Sequence, residues 1–169
     1  YERTITVNGM SKAFAMTGWR IGYMGAPEWI AKACTKVQGQ ITSGANAIAQ
    51  RASIAALKAP KSKIQYMVDE FKRRRDLVLE LLSEIDGFKL NVPEGAFYVF
   101  PDVSSFFGKT LRGRNIHNAT DFSLYLLEEA MVATVTGEAF GDANCIRISY
   151  AASEKELREA IRRIKESLA

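Results

Sequence analysis

The sequence predicts a mixed α/β fold that ends in a small α+β module built on a long helix. Three observations predict it. Two strand-like segments flank a loop of small residues near the start, apolar residues repeat every three or four positions over residues 61–85, and short strands alternate with helices after residue 87. The 169 residues are enough for one ordinary domain, or for the end of one domain followed by a small second domain.

The first part of the chain is predicted to form a strand, a loop, a second strand and two helices. In order, these are a strand to about Val7 that breaks at Asn8-Gly9, a loop over 10–18, a strand over 19–26, a helix from 28 to about 38, and a helix over 45–59. Pro27 suits a helix start, because its missing N–H would have no partner there. The second helix is rich in alanine, which allows close approach to another helix or another subunit.

The second part is predicted to begin with a long amphipathic helix over residues 61–85, which ends at Asp86-Gly87. The expected elements after it are a strand over 88–90, a strand over 96–100, a polar loop over 104–118, a helix over 119–130, strands over 132–135 and 146–151, and a helix from 154. Ser153 and Glu156 have the capping-box spacing that satisfies backbone amides at a helix start.

The composition excludes several classes of protein. The net charge is +4, and no basic stripe with interleaved aromatic residues indicates nucleic-acid binding. No segment has the length and apolar character of a membrane span, and no leader opens the chain. A single His and two distant Cys do not form a metal site. Cys34 and Cys145 are expected to be buried, reduced thiols, which favours a cytoplasmic protein.

Lys12 and Arg20 are the first candidate functional residues. Lys12 lies in a loop of neutral and small residues directly after a strand, and Arg20 lies eight residues further on. A neutral lysine amine can attack a carbonyl, and a guanidinium binds phosphate through two hydrogen bonds. The pair therefore suits a cofactor with an aldehyde at one end and a phosphate at the other, namely pyridoxal 5′-phosphate (PLP). A surface lysine and a solvated arginine are the alternative.

Arg147 is the second candidate. In the strand predicted over residues 146–151, Ile146 and Ile148 share one face, so Arg147 points to the other face between small neighbours. An arginine there needs a negatively charged partner, and a bound carboxylate would serve. An internal salt bridge or an edge strand with a solvated arginine would explain it equally well.

Four blocks of sequence resemble the class I aminotransferases, close to the prokaryotic aspartate aminotransferase type. In chain order the blocks are Val7-Asn8-Gly9-Met10-Ser11-Lys12 with Ala15-Met16-Thr17-Gly18-Trp19-Arg20-Ile21-Gly22-Tyr23, then Gly95-Ala96-Phe97-Tyr98, Ala139-Phe140-Gly141, and Ile146-Arg147-Ile148-Ser149-Tyr150-Ala151. The resemblance implies a fold-type I PLP-dependent transferase. Residues 1–59 would be the C-terminal end of the large PLP-binding domain, and residues 60–169 the small C-terminal domain.

The resemblance also implies roles for individual residues. Lys12 would hold PLP and move the substrate's α-proton, Arg20 would bind the cofactor phosphate, and Arg147 would bind the substrate α-carboxylate. Ser43 would reach towards the cofactor phosphate of the partner subunit in a homodimer. Phe97 would either line the substrate cleft or pack in the core.

Two departures from the family pattern stand out. Many relatives carry a phosphate-binding Ser three residues before the lysine, where this chain has Gly9. The family's aspartate for the pyridine nitrogen, its Asn and Tyr for the cofactor oxygen, its stacking aromatic and its phosphate-binding turn all precede the segment matched here. The chain is therefore expected to be a C-terminal fragment that is inactive, or nearly so, in isolation.

The leading hypothesis from the sequence is an amino acid aminotransferase, using aspartate with 2-oxoglutarate in the cytoplasm. Two alternatives stay open. One is another enzyme of the same PLP family, such as an aromatic or kynurenine aminotransferase or a carbon–sulfur lyase. The other is a non-catalytic dimerisation or interaction module, with the alanine-rich helix as a subunit contact. The amino acid and 2-oxo acid substrates are the expected small-molecule partners, without nucleic acid or membrane.

Overall fold

A computed structural model describes all residues, 1–169, as two compact units, Tyr1–Gln65 and Tyr66–Ala169. None of the helices combines the length and the apolar character that crossing a membrane requires.

The first unit contains an antiparallel hairpin followed by helices. Its elements are β1 (Thr6–Gly9), β2 (Gly22–Gly25), α1 (Glu28–Thr42) and α2 (Ala47–Lys58). In the hairpin, Asn8 pairs with Tyr23 and Gly9 with Gly22. The prediction that the strand breaks at Asn8-Gly9 is therefore wrong: both residues belong to the ladder and end it.

The boundaries of the helices follow local backbone chemistry. Helix α1 starts where predicted, directly after Pro27, which is its N-cap, and the Asn46 side chain accepts a hydrogen bond of 3.0 Å from the Ala49 amide to cap α2. The predicted end of α1 at about residue 38 is too early. The helix continues through Gly39 to Thr42 and stops where Ser43 takes a left-handed conformation, with φ of 61°.

The second unit is an α+β module, as predicted. Its long first helix, α3 (Ser62–Ser83), begins at the end of the first unit. The other elements are β3 (Tyr98–Val99), β4 (Thr110–Leu111), β5 (Arg114–Asn115), α4 (Ala119–Glu129), β6 (Val135–Thr136), β7 (Ile146–Ser149) and α5 (Glu154–Leu168). The central sheet has the order β3-β7-β6, with both pairs antiparallel, and β4 and β5 form a separate hairpin.

Helices α3, α4 and α5 and the inner face of this sheet enclose the core. Its members are apolar side chains that lie 0–9% exposed, among them Val78, Leu82, Val99, Phe122, Leu126, Ile146, Ile148, Ile161 and Ile164. Burying each such side chain contributes about 1.5–3 kcal/mol relative to leaving it in water. Because Ile146 and Ile148 point into the core, Arg147 between them points away from it.

Three predictions for this unit need correction. The strand expected over 88–90 is reduced to a single bridge between Lys89 and Asp102. The loop expected over 104–118 contains the β4–β5 hairpin, whose turn residues Arg112 and Gly113 both have positive φ, as hairpin turns of type I′ require. The strand expected from residue 132 starts only at Val135.

The cysteines are both unpaired thiols, but their environments differ. Cys145 is buried, as predicted, and burial raises the pKa of its thiol to about 11. Cys34 is exposed on α1, so the prediction of burial is wrong for it. Small and apolar residues flank Cys34 in the sequence, but such neighbours do not determine which face of a helix is buried.

Carboxylates on the surface of the second unit are held by arginines. Hydrogen bonds from Arg73 and Arg74 lower the pKa of Glu70 to about 2, and those from Arg162 and Arg163 lower the pKa of Glu159 to about 2. Arg73 also pairs with Glu154, which joins α3 to α5. All three arginines at residues 73–75 are thus paired with carboxylates.

These ion pairs predict how stability changes with pH. The pKa of Glu70 and Glu159 is lower in the folded protein than the ordinary value of 4.5, so their stabilising contribution is present above that value and is lost as pH falls towards 2. We expect the thermal unfolding midpoint to decrease through this window, and Glu70→Gln to flatten the decrease. An unfolding midpoint in circular dichroism that is constant over this range would contradict it.

Candidate active site

Lys12 lies on a short loop at the end of the β1–β2 hairpin. The hairpin is extended by one hydrogen bond, in which the Met10 amide donates to the Ile21 carbonyl at 3.3 Å, and the Met10 side chain is fully buried. Lys12 follows two residues later and is exposed. It opens a tight turn that is closed by a hydrogen bond of 3.2 Å from the Ala15 amide to the Lys12 carbonyl.

Arg20 lies at the other end of the same loop. Its backbone is left-handed, with φ of 50°, and its Nη1 donates a hydrogen bond of 2.8 Å to the Thr17 carbonyl. A non-glycine residue in this conformation costs about 1 kcal/mol, which the preceding 3₁₀ turn, Thr17–Trp19, must offset. Because Met10 and Ile21 are joined, Lys12 and Arg20 leave the hairpin at the same end.

Ser43 and Arg20 line one open concavity of about 1300 Å³ within the first unit. Ser43 caps α1, and Gly44 follows it with φ of 132°. Arg20 is the only charged residue in the lining, which holds no Asp or Glu. A concavity lined by one permanent cation and no carboxylate suits an anionic group such as a phosphate.

Arg147 belongs to the second unit, at the centre of its sheet. Strand β7 lies between β3 and β6, and Arg147 pairs with Val135 across β6. The guanidinium carbon lies 4.3 Å from the ring centroid of Tyr98 and 4.1 Å from that of Phe140. Arg147 makes none of the ion pairs that hold the half-buried arginines Arg74 and Arg75. The internal salt bridge considered from the sequence is therefore absent.

Tyr98 and Phe140 are residues that the sequence did not single out. Both lie in the blocks that carry the family resemblance, but neither was assigned a role. In the strand predicted over 96–100, a period of two puts Tyr98 and Phe100 on the face opposite to the buried Val99, and this signal would have found Tyr98. Phe140 follows β6 in a 3₁₀ turn, and no periodic pattern leads to it.

Phe97 packs partly against the core of the second unit. Its ring lies 6.1 Å from that of Phe71, and it is partly buried against the core cluster. The Phe97 ring also lies 4.3 Å from that of Tyr98, so Phe97 links the core to the aromatic residue beside Arg147.

The candidate residues thus lie in two groups. Lys12, Arg20 and Ser43 belong to the first unit, where Arg20 and Ser43 line the concavity and Lys12 leaves the same hairpin end as Arg20. Arg147 belongs to the second unit, with two aromatic rings beside it. The comparison with known protein families bears on both groups, because the family described as aminotransferase class I and II matches residues 1–164.

The chain belongs to the class I and II aminotransferases. This membership confirms the resemblance drawn from the four sequence blocks, and enzymes of this family depend on PLP. The chain is 53% identical over 164 residues to an aspartate aminotransferase of Rhizobium meliloti, covering 96% of this chain and 40% of the relative. It is 49% identical over 172 residues to a bifunctional aspartate aminotransferase and glutamate/aspartate-prephenate aminotransferase of Petunia hybrida, covering 99% and 36%.

Solved aminotransferase structures have the same fold. The crystal structure of the aspartate aminotransferase from Rhizobium meliloti superposes with a TM-score of 0.95 at 50% identity, covering 99% of this chain and 42% of that one. An aromatic aminotransferase from Pyrococcus horikoshii superposes with a TM-score of 0.88 at 41% identity, covering 99% and 43%. The predicted fold class, the C-terminal part of a fold-type I PLP-dependent transferase, is confirmed. The chain spans about 40% of the length of the relatives it matches.

Proposed function

We propose that the protein is an amino acid aminotransferase that uses PLP, with aspartate as amino donor and 2-oxoglutarate as acceptor. The observation that carries the proposal is the hairpin end from which both Lys12 and Arg20 emerge, beside a concavity whose only charge is Arg20. Relatives about half identical over nearly the whole chain are named aspartate aminotransferases, which supports the choice of substrate.

Each candidate residue has a defined task in this proposal. PLP, when bound, supplies an electron-withdrawing ring that stabilises negative charge at the substrate α-carbon. Lys12 holds the cofactor through its amine, then accepts and returns the proton at that carbon. Arg20 binds the phosphate through its permanently charged guanidinium, with the Ser43 hydroxyl as a further donor from a partner subunit. Arg147 binds the α-carboxylate that amino acid and 2-oxo acid substrates share.

The proposal includes the organisation of the whole protein. Residues 1–59 would be the end of the large PLP-binding domain and residues 60–169 the small domain, which begins close to α3. We further propose a homodimer in the cytoplasm. The thiols of Cys34 and Cys145, both unpaired, fit a reducing compartment.

Prephenate is a second candidate acceptor. Several relatives 47–50% identical to this chain, from Rhizobium leguminosarum, Rickettsia prowazekii and Cereibacter sphaeroides, are named aspartate/prephenate aminotransferases, some of them as probable. Prephenate, like 2-oxoglutarate, has a 2-oxo acid group and a second carboxylate. The same Arg147 would therefore serve both acceptors.

A comparison of substrates tests the proposal. The protein is expressed from its full reading frame, loaded with PLP and assayed with aspartate, tyrosine, kynurenine and cystathionine against 2-oxoglutarate and prephenate. We expect the highest kcat/KM with aspartate. A higher value with tyrosine or kynurenine would favour an aromatic or kynurenine aminotransferase, and release of a thiol from cystathionine would favour a carbon–sulfur lyase. A dimer that binds no PLP would be the non-catalytic module.

A substitution at Gly9 tests the phosphate site by adding a hydrogen-bond donor to it. A Cβ at Gly9 would meet only the Ile21 carbonyl, at an ordinary 3.8 Å, and its backbone is not left-handed. We expect Gly9→Ser to fold normally and to lower the Kd for PLP about threefold to tenfold, because a typical hydrogen bond contributes about 0.5–1.5 kcal/mol. Gly9→Ala is the matched control. Equal PLP affinities for the two variants in a fluorescence titration would contradict this expectation.

A further inference from the structure

The environment of Arg147 is unusual for a half-buried arginine. Arg74 and Arg75, which are similarly shielded, each pair with a carboxylate at 2.7 Å. The Arg147 guanidinium instead lies over the rings of Tyr98 and Phe140, at 4.3 and 4.1 Å. Aromatic faces attract a cation through the ring quadrupole. Unlike a carboxylate, they neither neutralise its charge nor accept its N–H groups through strong hydrogen bonds.

The sheet register places Tyr98 beside Arg147. Tyr98 pairs with Ser149 and Val99 with Ile148, so Tyr98 lies diagonally across from Arg147 on the same face of the sheet. The opposite face is the core face, where Ile146 and Ile148 are buried. The pairing of β3 with β7 therefore fixes the contact between Tyr98 and Arg147.

Phe140 lies on the β6 side of Arg147 and is held there by a tight turn that follows β6. The Gly137 amide donates a hydrogen bond of 2.7 Å to the Cys145 carbonyl, and the 3₁₀ turn Gly137–Phe140 ends at Gly141, with φ of 90°. The Phe140 ring also meets Phe100 edge-on, with centroids 6.3 Å apart. Although 47% of Phe140 is exposed, both its backbone and its ring are thus fixed.

We infer that Tyr98 and Phe140 are positioning residues that hold the Arg147 guanidinium ready for a substrate carboxylate. This inference rests on the proposed function, in which Arg147 binds the α-carboxylate. The rings fix the side chain without supplying a competing anion, so a carboxylate need not displace an internal partner to reach the guanidinium. The substrate class is any α-amino or 2-oxo acid, and the rings select for no particular substrate side chain.

The inference predicts a separation of kinetic constants. In the PLP-loaded protein, Tyr98→Leu and Phe140→Leu should each raise KM for both aspartate and 2-oxoglutarate about 3- to 30-fold, because cation–π contacts are of that strength. The kcat should stay within about twofold, since the interaction is with a carboxylate bound equally before and during reaction. The Kd for maleate, a dicarboxylate that cannot be transaminated, should rise in parallel. Tyr98→Phe keeps the ring and should restore the parent values.

A double-mutant cycle tests whether the rings act through Arg147. In the background of Arg147→Met, Tyr98→Leu should have no further effect on KM or on the Kd for maleate. A further increase would mean that Tyr98 acts independently of Arg147 and would overturn the inference. Unchanged KM values in the Tyr98→Leu and Phe140→Leu single variants would also overturn it.

The same cycle separates this inference from the proposed function. If Arg147→Met leaves KM and maleate binding unchanged, Arg147 does not bind carboxylate, and the inference fails together with that part of the proposed function. If Arg147→Met raises both while the ring variants do not, only the inference fails. Because Phe140 is 47% exposed, we expect Phe140→Leu to leave the fold intact. This variant therefore still tests the inference if Tyr98→Leu lowers the thermal unfolding midpoint.

Discussion

Lys12→Ala is expected to lower kcat for transamination by at least about 10³-fold, with the fold unchanged. A positioned acid–base group alone contributes about 10²–10⁴-fold, and this variant also removes the amine that holds the cofactor. Lys12 is exposed on a loop, and no part of the hydrophobic core depends on its side chain. The measurement is the steady-state rate with aspartate and 2-oxoglutarate, alongside thermal unfolding of both proteins.

Two control variants sharpen this test. Lys12→Arg keeps the positive charge but cannot supply the amine, so its activity should be lost as fully as in Lys12→Ala. Lys32→Ala removes another exposed lysine, which pairs only with Glu28 on α1, and should leave the rate unchanged. A Lys12→Ala protein that retains more than about a tenth of the parent rate would show that another group moves the proton.

Gly137→Ala is expected to destabilise the second unit by about 3 kcal/mol or more, the upper range for overpacking. A Cβ on Gly137 would lie 2.3 Å from the Asp142 carbonyl oxygen and 2.4 Å from that of Cys145. Both obstacles are backbone atoms, which cannot rotate away as a side chain can. The measurement is the free energy of unfolding by chemical denaturation.

Two other glycines of the same unit calibrate this result. A Cβ on Gly95 would meet nothing within 4 Å, so Gly95→Ala should change the free energy of unfolding by less than about 0.5 kcal/mol. Gly141 also has open space but a φ of 90°, so Gly141→Ala should cost about 1 kcal/mol through backbone strain alone. Equal effects of Gly137→Ala and Gly95→Ala would contradict the account of the Gly137 turn.

Features that depend on a few neighbouring residues could be predicted from the sequence. Pro27 begins α1, and Ser153 with Glu156 forms the capping box of α5, because these caps involve only local backbone groups. Features that depend on distant partners were less predictable. The strand expected over 88–90 finds only Lys89 paired with Asp102, and whether a short apolar segment forms a ladder depends on what lies beside it.

The candidate site divides in the same way. The orientation of Arg147 away from the core followed from strand periodicity between Ile146 and Ile148. Its contacts with Tyr98 and Phe140 did not, because they require the β3–β7 register and the Gly137 turn. Likewise, the sequence shows Lys12 and Arg20 eight residues apart, but it is the β1–β2 ladder, extended by the hydrogen bond from Met10 to Ile21, that brings the two ends of their loop together.

The most direct test of the central claim is to find which lysine carries the cofactor. The protein expressed from its full reading frame is mixed with PLP, reduced with borohydride, digested and analysed by peptide mass spectrometry. Our account predicts a pyridoxyl group on Lys12, together with loss of the cofactor's absorbance band on reduction, and no label in the Lys12→Ala variant. Specific labelling of a different lysine, or no labelling at all, would contradict the assignment of Lys12 and with it the proposed aminotransferase site.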